Sequence, residues 1–236
     1  GIRLWAHERG FELPAQPEDE TCAVRWLCYY ALLRESNTPA RAAAGERHSV
    51  FIDGEGRLSS CGSTEEEFPA ALGQGEGVTQ LRTPTRFPST LDGERAVSVS
   101  AGDMHSLALT ADGAVWSWGE LVLLGHSDEQ QDGLLPKKVE AFAGQRVVAV
   151  SAATGHSLAL AADGSVWSWG LGDYGQLGHG DQQEQRLPEK IEAFVGKRVV
   201  AISAGGSHSL ALTADGVLWR WGHGGDGQSG HGDQQS

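Results

Sequence analysis

Four histidines, His48, His105, His156 and His208, recur 57, 51 and 52 residues apart, and each is followed by a serine. Histidine is both a zinc ligand and the side chain that titrates nearest neutrality, so a recurring one invites a metal site or a general base. The recurrence argues against both. One ring at the same point of every unit stands a whole unit from the next, whereas zinc needs several donors converging on one ion. The expected role is structural, a ring hydrogen-bonded to local backbone. Six of the eight tryptophans form the doublets Trp116/Trp118, Trp167/Trp169 and Trp219/Trp221. Aromatic cages and light absorption are conceivable uses for them; packing between sheets is the simpler one. The hexapeptides 178–183 and 230–235 are identical, Gly-His-Gly-Asp-Gln-Gln. Their His179, Asp181, Gln182, His231 and Asp233 are the candidate partner-binding residues, set against glycines that serve only a crowded turn. No nucleophile elbow, Walker loop, zinc-protease motif or dinucleotide fingerprint occurs. No enzymatic activity, metal or cofactor is expected.

These residues sit in a long repeat. The stretch 101–119, Ala-Gly-Asp-Met-His-Ser-Leu-Ala-Leu-Thr-Ala-Asp-Gly-Ala-Val-Trp-Ser-Trp-Gly, returns at 152–170 and 204–222, and a diverged copy occupies 44–62. Between the cores, 135–148 matches 187–200. Units are therefore expected at about 41–92, 93–144, 145–196 and 197–236. Each reads as four short strands with turn signals between them. In the third unit they are 147–151, 157–160, 165–169 and 189–194, with a hairpin at Asp163-Gly164 like those at Asp112-Gly113 and Asp215-Gly216. Alternation puts Leu158 and Leu160 on one face and Ser157 and Ala159 on the other, and the two tryptophans share a face, so that large residues nest against small ones between stacked sheets.

The run Val-Val-Ala-x-Ser-Ala-Gly-x-x-His-Ser-Leu-Ala-Leu-Thr-x-Asp-Gly-x-Val-Trp-x-Trp-Gly, followed by Gly172–Gly180, resembles the repeat of the regulator of chromosome condensation family. The resemblance covers residues 41–236. It implies an all-β fold, a β-propeller with about four of the family's seven blades, preceded by a short helical segment over 1–40. It departs from the pattern after Gly119, where Glu-Leu-Val-Leu-Leu replaces the glycine-rich loop. An arc of blades leaves apolar faces bare at its ends, so the chain is expected to belong to a longer protein or to pair with another copy.

Composition narrows the partners. Of the formal net charge of −13, residues 101–236 supply −8, from 8 basic and 16 acidic side chains. That balance favours neither a nucleic-acid face nor a membrane face. The acidic run Glu65–Glu67 reads as a solvated loop. Three cysteines, Cys22, Cys28 and Cys61, show no metal spacing and suit a reduced, intracellular setting, cytoplasmic or nuclear. Residues 22–35 carry an amphipathic helical pattern. The stretch 1–40 resembles the segment following an F-box, or it is a helix that packs on the first blade. The leading expectation is a non-catalytic protein-interaction scaffold. The resemblance also implies nucleotide exchange on a small GTPase, a role in a ubiquitin ligase, or binding to histones.

Overall fold

Short runs alternating small and apolar residues, punctuated by Asp-Gly and glycine-rich turns, can bury both faces only if sheets stack on sheets. The computed structural model describes residues 41–64, 70–88, 91–127 and 133–225, all within the unit Pro39–Ser236. These residues form four antiparallel meanders. The first contains β1 (Ala42–Ala44), β2 (His48–Ile52), β3 (Leu58–Ser63) and β4 (Gln80–Arg86). The second contains β5 (Ala96–Ala101), β6 (His105–Thr110), β7 (Val115–Gly119) and β8 (Lys137–Lys138). The third contains β9 (Val147–Ala152), β10 (His156–Ala161), β11 (Val166–Gly170) and β12 (Gln185–Lys190). The fourth contains β13 (Val199–Ala204), β14 (His208–Thr213) and β15 (Leu218–Gly222). Consecutive first strands pack on one another, so the sheets fan around an axis lined by β1, β5, β9 and β13. The all-β, incomplete propeller is as the repeat predicts. Among the described residues no helix is long and apolar enough to cross a membrane. The amphipathic pattern at 22–35, the F-box-like stretch 1–40, Glu65–Glu67, His231 and Asp233 lie outside the described residues.

One predicted strand differs. The span 189–194 is divided: β12 ends at Lys190, and Glu192–Phe194 is a 3-10 turn. Ile191 and Phe194 are 1% and 4% exposed. Two apolar side chains three apart reach the same core only when the chain turns with i to i+3 spacing. Glu140–Phe142 does the same in the second unit, with Val139 and Phe142 buried.

Each junction between sheets is asymmetric. β10 and β11 pair Ser157 with Trp169 and Ala159 with Trp167, so both tryptophans lie over small residues on the face toward the preceding sheet. That sheet answers with Leu107, Leu109 and Val115, which join Trp169, Ala159, Val139 and Phe142 in one buried cluster. The diverged first sheet swaps volumes across its strand pair: Phe51 stands opposite Ser59 where the others have alanine opposite tryptophan. Total volume across the strand pair is the quantity that must match for the core to pack.

Backbone and small side chains tie the inner strands together. Ser100 Oγ accepts from the Ala152 amide at 2.9 Å, and Ser151 Oγ from the Ala204 amide at 3.0 Å. At Gly102 a Cβ would overlap the Ala153 carbonyl of the next sheet. Glycine there permits the close approach of two backbones.

Candidate protein-interaction surface

Three of the recurring histidines, His48, His105 and His156, join sheets through their Nε2 atoms where local backbone was expected as the partner. His48 Nε2 lies 2.7 Å from Ser106 Oγ, His105 Nε2 2.7 Å from Ser157 Oγ, and His156 Nε2 2.7 Å from Ser209 Oγ. Ser209 Oγ donates to the Gln176 carbonyl at 2.8 Å. The proton on its neighbour must therefore be the imidazole's, which fixes the Nε2–H tautomer of His156 and leaves Nδ1 without a partner. Burial pushes His105 down to about 3 and His156 down to about 4. The rings are neutral latches between blades, with neither the exposure nor the protonation range of a base. Replacing Ser157 by Ala leaves the buried His105 Nε2 without its partner and is expected to cost about 1–3 kcal/mol. Denaturant midpoints check this, and an unchanged midpoint would remove the latch reading.

The second tryptophan of each doublet is consumed in the same way. Trp118 Nε1 donates to the Ala71 carbonyl at 3.2 Å, Trp169 Nε1 to Leu123 at 2.8 Å and Trp221 Nε1 to Gln176 at 2.7 Å. Each carbonyl belongs to a loop of the preceding sheet, so the indole fixes that loop's path. Between the doublets, Ser117 Oγ and Ser168 Oγ donate to the Leu124 and Leu177 carbonyls at 2.7 Å each. These serines also receive His126 Nε2 at 3.0 Å and His179 Nε2 at 2.9 Å. The divergent loop after Gly119 thus ends in the same latch, reached through the 3-10 turn Leu121–Leu123.

The predicted residues separate accordingly. Asp112 and Asp163 hold their hairpins: Asp163 Oδ1 accepts from the Ser165 hydroxyl at 2.6 Å and amide at 2.9 Å, which lowers its carboxyl below the usual range. The hydrogen bond from Thr213 lowers Asp215 likewise. Gly164 has φ of 87°, as a tight hairpin requires. Of the loop residues, His179 is half-buried and latched, whereas Asp181 and Gln182 are exposed.

Antiparallel meanders send the connection between first and second strands to one end, the loop end, with that between third and fourth strands in the first three sheets, and the hairpin between second and third strands to the other. At the loop end the repeat motif Ala-Gly-x-x-His-Ser, whose glycine is Ala153 in the third unit, carries a different variable pair in each unit: Glu46-Arg47, Asp103-Met104, Thr154-Gly155 and Gly206-Ser207. Glu46, Arg47, Asp103, Met104 and Thr154, with Ser63 and Thr64 beside them, line a cavity of about 210 Å³. Tyr174, half exposed, stacks edge-on against His223 at 5.1 Å. The sequence reading missed this group, although the variable pair inside a near-invariant motif was a usable signal. Among the described residues no group of His, Cys, Asp and Glu is placed to hold a metal.

Two models of the regulator of chromosome condensation (RCC1) repeat match the chain, one over 112–160 and 163–212, the other over 96–120, 147–176 and 199–228. The human E3 ubiquitin-protein ligase HERC2 is 38% identical over 80% of this chain, which spans 4% of that protein. Human WBSCR16 superposes with a TM-score of 0.73 at 28% identity, over 84% of this chain and 50% of that one. Prp20p from Saccharomyces cerevisiae, whose structure was described with its binding properties to Gsp1p and histones, gives 0.64 at 30% identity, over 77% and 43%.

Proposed function

Because the chain belongs to the regulator of chromosome condensation (RCC1) repeat family, we propose that it is a non-catalytic platform holding a protein partner on the loop end of its sheets. One observation carries the reading. The recurring polar residues are spent on holding sheets together, and the residues that differ from unit to unit gather around the axial cavity and the loops beside it. A rigid frame with variable loops binds by burying loop side chains, and its specificity follows from which ones they are.

Photo-crosslinkers placed at Thr154 and Tyr174 are expected to trap a common protein that a crosslinker at Leu187, on the outer rim, does not. Asp103→Lys with Tyr174→Ala is expected to abolish that capture while the unfolding midpoint stays put. Equal capture from the rim, or capture untouched by the double variant, would overturn the proposal.

The similarity to Prp20p favours a second reading, nucleotide exchange on a small GTPase, in which the same loops press on the nucleotide site. Release of labelled nucleotide from a Ran-like GTPase tests it, and an unaccelerated rate removes it. The ligase named by the HERC2 similarity is a far longer protein, and a ligase role for this chain is recruitment through the same loops.

A further inference from the structure

We infer that the opposite end of the sheets carries anion-binding sites at its second and third blade junctions, which hold an extended Asp/Glu-rich segment of a protein partner. This surface is distinct from the loop end and independent of the function proposed above.

Two clefts occupy equivalent places in the repeat. Between the first and second sheets, the hairpin at Glu55–Arg57 and the connector at Gly93–Arg95 enclose about 160 Å³. Between the second and third, the hairpin at Asp112–Ala114 and the connector at Gly144–Arg146 enclose about 260 Å³. In both, a basic residue ends the outer strand, Arg86 or Lys138, and an arginine immediately precedes the inner one, Arg95 or Arg146. Lys190 and Arg198 hold those repeat positions at the third junction. In the second cleft Lys138 and Arg146 stand against Asp112 alone, whereas in the first Arg57 and Arg86 are paired with Asp53, and Arg57 also with Glu55. In a chain of net charge −13 that local excess is out of character.

In the second cleft the nearby carboxylate forms no ion pair with these cations, although Lys138 stands near enough to help lower Asp112. Asp112 accepts from Thr110 Oγ1 at 2.5 Å and from the Ala114 amide at 3.2 Å, and these bonds hold it in the turn. Neither Lys138, Arg146, Lys190 nor Arg198 forms an ion pair within 4.0 Å among the described residues. Packing fixes where the arginine head stands. The Arg146 stem lies across Gly113, where a Cβ would come 2.5 Å from Arg146 Cγ, and the side chain is otherwise exposed. A methionine would pack as well, so the guanidinium is not needed by the fold. Arg95 differs, since it donates to the Glu55 and Gly54 carbonyls at 3.0 and 3.1 Å. The second and third junctions are thus the better-equipped ones.

A guanidinium beside an ammonium recognises carboxylate or phosphate oxygens. Repetition selects among the sources. A chain bearing several carboxylates engages successive clefts at high effective concentration, whereas a free phosphate gains from one cleft alone.

The test uses the whole chain and a fluorescein-labelled oligoglutamate peptide, read by anisotropy at low salt, with inorganic phosphate as competitor. The peptide is expected to bind, to weaken about tenfold in the double variant Lys138→Glu/Arg146→Met, and to resist displacement by phosphate at equal charge. Arg146→Met retains the packing stem, and an unchanged unfolding midpoint certifies the fold. Asp103→Lys at the loop end is expected to leave peptide affinity unreduced. Absence of binding, unchanged affinity in the double variant, or displacement by phosphate at parity would each overturn the inference.

Discussion

Lowering the pH to about 5 is expected to remove about 4 kcal/mol of the propeller's stability, about 2 from each of two buried histidines. His105 and His156 are fully buried, and burial holds them at about 3 and about 4, below the ordinary 6.5. The unfolded chain therefore binds protons that the folded chain refuses. Their contribution is complete above 6.5 and is lost as pH falls through the window down to the folded values of about 4 and about 3, with a slope near 1.4 kcal/mol per pH unit for each ring. His48 adds in the same direction, its burial outweighing the nearby Asp103 carboxylate that opposes it. Asp53, held at about 2, titrates below this window. The geometry explains why the folded rings resist. His156 Nε2 already donates to Ser209, and Nδ1 of both rings is buried without a hydrogen-bond partner. Guanidinium midpoints between neutrality and about pH 5 measure the slope, and a flat profile would show the rings to be solvated or partnered.

Much of this fold was legible because the repeat states its own packing rule several times. The alternation Leu158, Leu160 against Ser157, Ala159, and the doublet Trp167/Trp169, indicated stacked sheets with large residues over small ones, and the pairs Ser157–Trp169 and Ala159–Trp167 are that arrangement. Other features resisted for identifiable reasons. A histidine's partner 52 residues downstream is a non-local fact that no periodicity encodes, so the ring was assigned to nearby backbone. The 3-10 turn Glu192–Phe194 follows a strand with no breaker, and only the inward spacing of Ile191 and Phe194 betrays it. The first sheet was recognisable as a copy by its His48-Ser49 pair. Its Phe51 and Ser59 exchange volumes between strands, which sequence comparison position by position reads as loss.

The candidate surface was legible only in part, because the positions that catch the eye in a repeat are the invariant ones, and those serve the frame. His179 is the clearest instance: prominent in an identical hexapeptide, it bonds Ser168 inward. The residues left to meet a partner are those the repeat fails to specify. The same separation governs the two ends of the sheets. At the second and third hairpins the aspartates are held by their own turns, and Arg146 and Arg198 beside them form no ion pair among the described residues.

Replacing Trp169 by Ala is expected to cost about 3–5 kcal/mol, the usual range for deleting a buried indole. Its ring is 0% exposed, meets Phe142 at 5.8 Å between centroids, and donates at 2.8 Å to Leu123 in the preceding sheet. Truncation opens a cavity at a sheet-to-sheet junction and releases the loop whose carbonyl the indole holds. The repeat supplies its own control in Trp221, which makes the same bond to Gln176 at 2.7 Å and a similar contact to Phe194 at 5.5 Å, yet is only half-buried. Trp221→Ala is expected to cost roughly half as much, since the hydrogen bond is shared and only the desolvated area differs. Trp169→Phe separates the two contributions: it keeps most of the ring area and removes the donor, for about 1–2 kcal/mol. Denaturant unfolding of the three variants orders them. If Trp169→Ala and Trp221→Ala cost the same, burial between sheets is not what the doublets supply, and the asymmetric junction, large residues over small, is not the source of the propeller's cohesion.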